Sequence, residues 1–153
     1  MQEVSVIIPN FNGMAYLDGV LAGLECQTVD DFEVILVDNG SSDGSCAFVA
    51  ARYPWVHLIE LPENFGFCKA VNEGIRASRS PYVLLLNNDI EVTDNFIEEM
   101  TDAIKRHPKA FSCAARMIQF HDRDRLDDAG NYYCALGWAY ARGKGKDIHT
   151  YEK

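Results

Sequence analysis

The chain has 153 residues, of which 48% are apolar and 24% charged, a composition typical of one globular domain. Its formal net charge of -9 argues against nucleic acid as the main partner, because phosphate backbones bind basic surfaces. No apolar run approaches the roughly 20 residues that cross a bilayer, and the opening MQEVSVIIPN lacks the features of a signal peptide.

Short apolar runs alternate with helical periodicity from the start of the chain. The first predicted strand covers residues 4–8 and ends at Pro9, which cannot donate to a central ladder. A helix is predicted after Gly13, because four leucine and valine residues recur there at helical spacing: Leu17, Val20, Leu21 and Leu24. Residues 32–37 are predicted as a second strand, and a short helix follows that ends at Pro54.

The same alternation continues through the middle of the chain. Strands are predicted at residues 56–59 and 82–86, separated by a helix over residues 67–77. Another helix runs to Lys105, and residues 110–118 are predicted as a fifth strand. Strands that alternate with single helices indicate right-handed crossovers, so we predict an α/β fold with a mostly parallel central sheet flanked by helices.

Polar loops follow the first four predicted strands. In an open α/β sheet, ligands bind outside the carboxyl ends of the strands. A single polar loop is explained by turn formation alone, and Asp43 is interpreted as a helix cap. Four such loops at one sheet edge predict a binding site; they cover residues 9–13, 38–43, 61–67 and 87–89.

Three common sites of such folds are excluded by these loops. A dinucleotide site needs G-x-G-x-x-G after the first strand, where this chain has PNFNG. The phosphate-binding motif G-x-x-x-x-G-K-[ST] is absent from the sequence. A phosphoacceptor receiver domain needs acidic residues after the first strand, where Pro9 and Asn10 stand.

Four segments together resemble the donor-binding half of family 2 glycosyltransferases, which are inverting enzymes. In order they are VSVIIPNFNG, VILVDNGSSDGS, ENFGFCKAVNEGI and YVLLLNNDIEV. The resemblance implies a Rossmann-like GT-A fold, with a donor-binding domain over residues 1–118. Residues 119–153 resemble the linking region of rhamnosyltransferase-like members, so we expect a linking region or the truncated start of the acceptor half there.

The resemblance also assigns a metal position. Asp89 matches the last carboxylate of the family's D-x-D motif, which holds Mg²⁺ or Mn²⁺ against the nucleotide diphosphate. Asn88 stands where many relatives have aspartate, so the site carries one fewer negative charge. Asn88 is therefore expected to contact the nucleotide sugar rather than to supply a charged metal ligand.

Further nucleotide-sugar contacts are implied residue by residue. Phe11 is expected to pack on the base, and Asn39 to read its edge, since an amide offers both donor and acceptor. Lys69 is a candidate for contacting a phosphate; the alternative is that it is an ordinary solvated lysine. The remaining expected contacts are Pro9, Asn10, Asp38, Asn64, Gly66 and Asn72.

The resemblance implies sugar transfer from a dTDP- or UDP-sugar, with dTDP-rhamnose suggested by the N-N-D form, to a polysaccharide or glycolipid acceptor. The general base is expected in a C-terminal half beyond this chain, so no catalytic residue is assigned and little transfer by this chain alone is expected. We also expect self-association through the exposed edge of the fifth strand.

Unpaired cysteines without C-x-x-C spacing predict a cytoplasmic location, and lipid-linked acceptors would bring the enzyme to the inner membrane face. Two other functions remain open. A non-catalytic nucleotide-binding or interaction domain would bind its ligand without a metal. A nucleotidyltransferase would need a Gly-rich basic loop after the first strand, which PNFNG does not provide.

Overall fold

The protein, described as a computed structural model over residues 2–151, is built on a parallel sheet. The strands are β1 (Val4–Asn10), β2 (Phe32–Asp38), β3 (His57–Glu60) and β4 (Tyr82–Leu85). Their order across the sheet is β3-β2-β1-β4, and every pairing is parallel. This confirms the predicted α/β fold with a parallel central sheet.

Helices cover both faces of this sheet. The first two, α1 (Met14–Glu25) and α2 (Ser45–Arg52), bury their apolar residues against one face, and α4 (Phe96–Arg106) contributes Ile97 to the same cluster. The helix α3 (Phe67–Ala77) packs on the opposite face. There Gly74 lies so close to the sheet that an added Cβ would stand 2.4 Å from Cγ2 of Ile7. Glycine thus sets the distance between α3 and the sheet.

The predicted fifth strand is wrong over most of its length. Only Met117–Ile118 is a strand, β5, and it pairs antiparallel with β6 (Leu126–Asp128) instead of joining the central sheet. Residues 110–116 hold three alanines, a serine and a cysteine, with no alternation that would bury one face. The strand β4 is therefore an edge of the central sheet, and its Val83 and Leu85 are exposed.

Within residues 2–151 the chain divides into two compact units, the first ending at residue 101 and the second beginning at residue 102. The second unit contains β5 and β6 and a hairpin of β7 (Asn131–Tyr133) and β8 (Ala139–Ala141), and Leu126 is fully buried in it. The expected boundary of the donor domain at residue 118 stays a prediction.

Two further features concern the chain as a whole. Within residues 2–151, no helix combines the length and apolar character needed to span a membrane. None of the five cysteines forms a disulfide, and Cys26, Cys68 and Cys113 are exposed.

Candidate functional site

The carboxyl ends of β1 and β2 bring three polar side chains together. Asn10 lies opposite Asp38 in the parallel register, and Asn39 follows directly. All three are almost fully buried, with at most 4% of each residue exposed. Buried polar groups require hydrogen-bond partners, and the surrounding loops supply them.

Asp38 accepts hydrogen bonds from two of these loops. Its Oδ1 accepts from Asn10 Nδ2 at 2.8 Å and from Ser41 Oγ at 2.6 Å, and its Oδ2 accepts from the Ser41 backbone N–H at 2.8 Å. Burial by itself would raise the pKa of Asp38, but the hydrogen bonds from Ser41, Asn10 and Cys46 outweigh it and lower the pKa below its usual value. Asp38 is thus a charged centre that binds the loops to one another.

Three residues beyond the expected contacts extend this arrangement. The backbone N–H of Asn12 donates to Ser41 Oγ at 2.8 Å, and the Ser42 N–H donates back to Asn12 Oδ1 at 2.9 Å. Ser41 could have been found, because an aspartate followed three residues later by serine is typical of a turn closed by its own side chain. Nothing in the sequence alone indicates the contact with Asn12.

Asp43 accepts hydrogen bonds at the starts of two helices. It accepts from the backbone N–H and hydroxyl of Ser45, the first residue of α2, so it pairs the first N–H of that helix as a cap would, although the N-cap position itself is Gly44. It also accepts from the backbone N–H of Met14 at 2.9 Å, at the start of α1. The hydrogen bond from Ser45 is the main reason that the pKa of Asp43 is lowered.

The loop between β3 and α3 is held to β2 through amides. Asn39 Nδ2 donates to Asn64 Oδ1 at 2.9 Å, while the backbone N–H of Phe65 donates to Asn39 Oδ1 at 3.0 Å. Gly40, at φ 77°, allows this close approach, because an added Cβ would lie 2.6 Å from the Glu63 backbone. Gly66, at φ 86° and ψ 162°, adopts a backbone conformation that is nearly exclusive to glycine.

The loop after β4 joins the same arrangement. Asn88 Nδ2 donates to Asn10 Oδ1 at 2.7 Å. Asp89, the next residue, is exposed to solvent. The expected metal ligand therefore follows directly a residue that is bonded to the buried end of β1.

A cavity of about 300 Å³ opens between these loops. Phe11 and Phe67 contribute aromatic rings that are 47% and 58% exposed, so both can contact a ligand. The cavity is lined by Pro9, Asn10, Phe11, Asn39, Asn64, Gly66, Phe67 and Ala70. Six of the expected nucleotide-sugar residues thus share one cavity, and Phe67 and Ala70 are added to them.

Four expected nucleotide-sugar residues lie outside this lining: Asp38, Lys69, Asn72 and Asn88. Lys69 and Asn72 are exposed on α3. Lys69 Nζ forms an ion pair with Glu73, which also pairs with Arg76. A phosphate contact would require Lys69 to leave Glu73, a small cost for an exposed pair.

The carboxylate of Asp89 suits a hard cation whose remaining ligands come from a diphosphate. Among residues 2–151, no three His, Cys, Asp or Glu side chains gather to hold a metal by themselves. A single exposed carboxylate suits Mg²⁺ or Mn²⁺, which accept phosphate and water oxygens as remaining ligands. The chemistry present thus agrees with a metal that arrives with its nucleotide.

Residues 5–151 match the family model described as glycosyl transferase family 2. The cholesterol galactosyltransferase of Borreliella burgdorferi is 29% identical over 121 residues, covering 77% of this chain and 34% of that protein. The N-acetylglucosaminyl-diphospho-decaprenol L-rhamnosyltransferase of Mycobacterium tuberculosis is 30% identical over 116 residues, covering 69% of this chain and 38% of that protein. The chain thus spans little more than a third of these curated relatives.

Two solved structures resemble the fold. S. aureus TarS 1-349 in complex with UDP-GlcNAc has a TM-score of 0.64 and 25% identity, over 70% of this chain and 32% of that one. The mannosyltransferase PcManGT from Pyrobaculum calidifontis, in complex with GDP-Man and Mn²⁺, has a TM-score of 0.63 and 24% identity, over 67% of this chain and 32% of that one. These likenesses confirm the predicted GT-A fold.

Proposed function

The chain belongs to glycosyl transferase family 2, and from that premise we propose that it binds the nucleotide-diphosphate sugar of an inverting glycosyltransferase. The observation that carries the proposal is the hydrogen bond between Asn88 and Asn10. It joins the loop of the expected metal ligand Asp89 to the aromatic-lined cavity at the ends of β1 and β2. A nucleotide base in that cavity and a diphosphate near Asp89 would then be parts of one ligand.

Each part of the site has a chemical role in this proposal. Phe11 and Phe67 stack on the base, and Asn39 and Asn64 present amides to its edge. Asp89 would hold Mg²⁺ or Mn²⁺, and the metal would supply positive charge beside the diphosphate of the donor. The buried hydrogen bonds of Asp38 keep the loops in place and so fix the orientation of the donor.

We favour a UDP- or dTDP-sugar as donor and a polysaccharide or glycolipid as acceptor. TarS, at 25% identity, was solved with UDP-GlcNAc, and the mycobacterial relative is a rhamnosyltransferase that acts on a diphospho-decaprenol carrier. Rhamnose stays a hypothesis based on the N-N-D sequence of residues 87–89.

Calorimetric titration tests the proposal. The chain is titrated with UDP, dTDP and GDP, each with and without Mn²⁺ or Mg²⁺, and the series is repeated with Asp89→Ala. We expect metal-dependent binding of one pyrimidine diphosphate that the substitution abolishes. Metal-independent binding that survives Asp89→Ala would favour the non-catalytic nucleotide-binding domain instead, and no binding by the folded chain would contradict both.

We further propose that the second unit rests on an anionic membrane surface at the cytoplasmic face. Residues 102–153 carry ten Lys and Arg against seven Asp and Glu, whereas residues 1–101 carry four against sixteen. In the hairpin of residues 131–141, Leu136 and Trp138 are 82% and 74% exposed. Exposed aromatic and aliphatic residues beside an excess of cations are typical of proteins that bind at lipid interfaces.

Sedimentation with vesicles tests this location. We expect binding to phosphatidylcholine vesicles that contain phosphatidylglycerol, weakened by salt and by Trp138→Ala. Phe111→Ala is the matched control, since Phe111 is fully exposed in the same unit but lies outside the hairpin. Equal binding to vesicles without phosphatidylglycerol, or equal loss in both variants, would contradict the proposal.

A further inference from the structure

The orientation of the Asn10 side chain is fixed by its neighbour on β2. Asn10 Nδ2 lies 2.8 Å from Asp38 Oδ1, and an ionised carboxylate only accepts hydrogen bonds. The nitrogen of the amide must therefore face Asp38, and its oxygen must face the other way. If the amide were flipped, its oxygen would face the carboxylate of Asp38. Because Asn10 is only 1% exposed, no water could donate to that carboxylate in its place.

This orientation decides what can stand at position 88. The side of the amide that faces away from Asp38 is Oδ1, which accepts from Asn88 Nδ2 at 2.7 Å. An aspartate has the same shape as asparagine but would set a carboxylate oxygen against that oxygen. The geometry of Asn10 thus requires a donor at position 88, where a charged metal ligand would be an acceptor.

Gly13 provides the space for this bond. An added Cβ would lie 2.1 Å from Asn88 Nδ2 and 2.3 Å from Asn10 Oδ1. The backbone of Gly13 has a φ of -101°, which any residue can adopt, so its conformation does not require glycine. Glycine is needed here because the hydrogen bond between Asn88 and Asn10 passes directly over it.

We propose that Asn88 is a positioning residue, which acts through Asn10 and neither ligates the metal nor can be replaced by an acid. Its amide fixes the loop that carries Asp89 relative to the nucleotide cavity. Asn10, Gly13 and Asn88 are then a matched set, in which a change of any one disturbs the other two. This inference rests on the proposed donor binding for its effect on ligands, but not for its effect on stability.

The direction in which one substitution changes the nucleotide affinity distinguishes a positioning role of Asn88 from metal ligation. If Asn88 were a weak metal ligand, Asn88→Asp would add a carboxylate beside Asp89 and tighten metal-dependent nucleotide binding. As a positioning residue, the same variant should weaken the metal-dependent part of the affinity by about tenfold, the loss expected for one broken internal hydrogen bond. The affinity without metal should change little.

Asn95→Asp is the matched control. It adds the same charge at an exposed side chain outside the N-N-D sequence of residues 87–89, and it keeps the oxygen that accepts from Thr93 Oγ1. The experiment compares wild type, Asn88→Asp, Asn95→Asp and Gly13→Ala by calorimetry with UDP and dTDP, with and without Mn²⁺. We expect Gly13→Ala to reproduce the effect of Asn88→Asp, and Asn95→Asp to leave the affinity near that of wild type.

Unfolding in urea keeps the test independent of ligand binding. A double-mutant cycle with Asn10→Ala and Asn88→Ala should show effects that are not additive, because both variants remove the same bond. If wild type binds no nucleotide, the proposed function fails while this cycle still decides the pairing. Tighter metal-dependent binding by Asn88→Asp, additive effects in the cycle, or equal effects of Asn95→Asp and Asn88→Asp would overturn the inference.

Discussion

Asn39 donates from Nδ2 to Oδ1 of Asn64 across 2.9 Å, and backbone N–H groups fix both amides in that orientation. Phe65 N–H donates to Asn39 Oδ1, and Gly66 N–H donates to Asn64 Oδ1 at 2.9 Å. A backbone N–H can only donate, so neither side chain can turn over without placing two donors face to face. The end of β2 is thereby tied to the loop before α3.

We predict that Asn39→Asp destabilises the chain. The new carboxylate would place an oxygen against Asn64 Oδ1, which Gly66 N–H holds in that orientation. Because residue 39 is 4% exposed, leaving its polar group without a partner costs about 1–3 kcal/mol. Urea denaturation measures the free energy of unfolding, with Asn131→Asp as a control at an exposed position of the second unit. An effect no larger than that of the control would show that Asn64 rearranges freely.

Two glycine-to-alanine variants should have opposite effects. Gly74→Ala places a Cβ 2.4 Å from Ile7 and should destabilise by about 1–3 kcal/mol, because α3 must move away from the sheet. Gly19→Ala, within α1, has no atom within 4 Å and should stabilise by up to about 1 kcal/mol through helix propensity. Thermal and urea unfolding of both variants check the prediction, and destabilisation by Gly19→Ala would contradict it.

The chain should lose stability in acid. Asp38 and Asp43 both have lowered pKa values, so the unfolded chain binds protons more readily than the folded one. Their contribution is complete above the unfolded pKa of about 4 and is lost as the pH falls below it. The urea concentration at the unfolding midpoint should decrease as the pH is lowered through this range. Asp43→Asn should make this dependence of the midpoint on pH less steep. A slope that Asp43→Asn leaves unchanged would exclude Asp43 as a source.

Phe11 should contribute to binding but little to stability. Its ring is 47% exposed at the cavity, so Phe11→Ala removes a stacking surface without opening a void in the core. We expect nucleotide affinity to fall about fivefold to tenfold, from roughly 1 kcal/mol of lost aromatic contact, with an unfolding midpoint near that of wild type. Tyr16→Ala, an exposed aromatic on α1 outside the cavity, is the control. Equal affinity losses in the two variants would argue against base stacking on Phe11.

Self-association is expected at β4, not at the predicted fifth strand. Leu85 is 53% exposed on this edge strand, and an apolar edge favours pairing with a second chain. Leu85→Lys should therefore reduce association measured by analytical ultracentrifugation, because a lysine on an edge strand opposes such pairing. A chain that stays monomeric at high concentration would remove the reason for this prediction.

The sequence predicted most of the fold because its signals are local. Four apolar runs and the helical spacing of Leu17, Val20, Leu21 and Leu24 identified the central sheet and α1. The prediction of one strand over residues 110–118 failed because only local signals were available. Small residues without apolar alternation do not indicate which strand they would pair with. Pairing with residues 126–128 depends on contacts that periodicity does not contain.

The candidate site was predictable as a set of loops but not as a hydrogen-bond arrangement. Loop position alone placed Asn10, Asn39 and Asn64 at one sheet edge, and all three line the cavity. Which amide donates to which could not be predicted, because that depends on the fixed direction of Asn10 toward Asp38. In the sequence Gly13 is simply the last residue of the first polar loop, whereas the structure shows that it leaves space for a bond between two other residues.

The loops around Asp38 are linked before any ligand arrives. The backbone N–H groups of Asn12 and Phe65 already donate to side-chain oxygens of neighbouring loops, and those of Ser41 and Gly66 donate to side-chain oxygens within their own loops. We therefore expect these amides to exchange slowly with deuterated solvent in the free protein, and to change little when nucleotide binds. The entropic cost of ordering these loops is incurred when the chain folds. Ligand binding therefore does not have to order them, and less of the contact energy is lost to that cost.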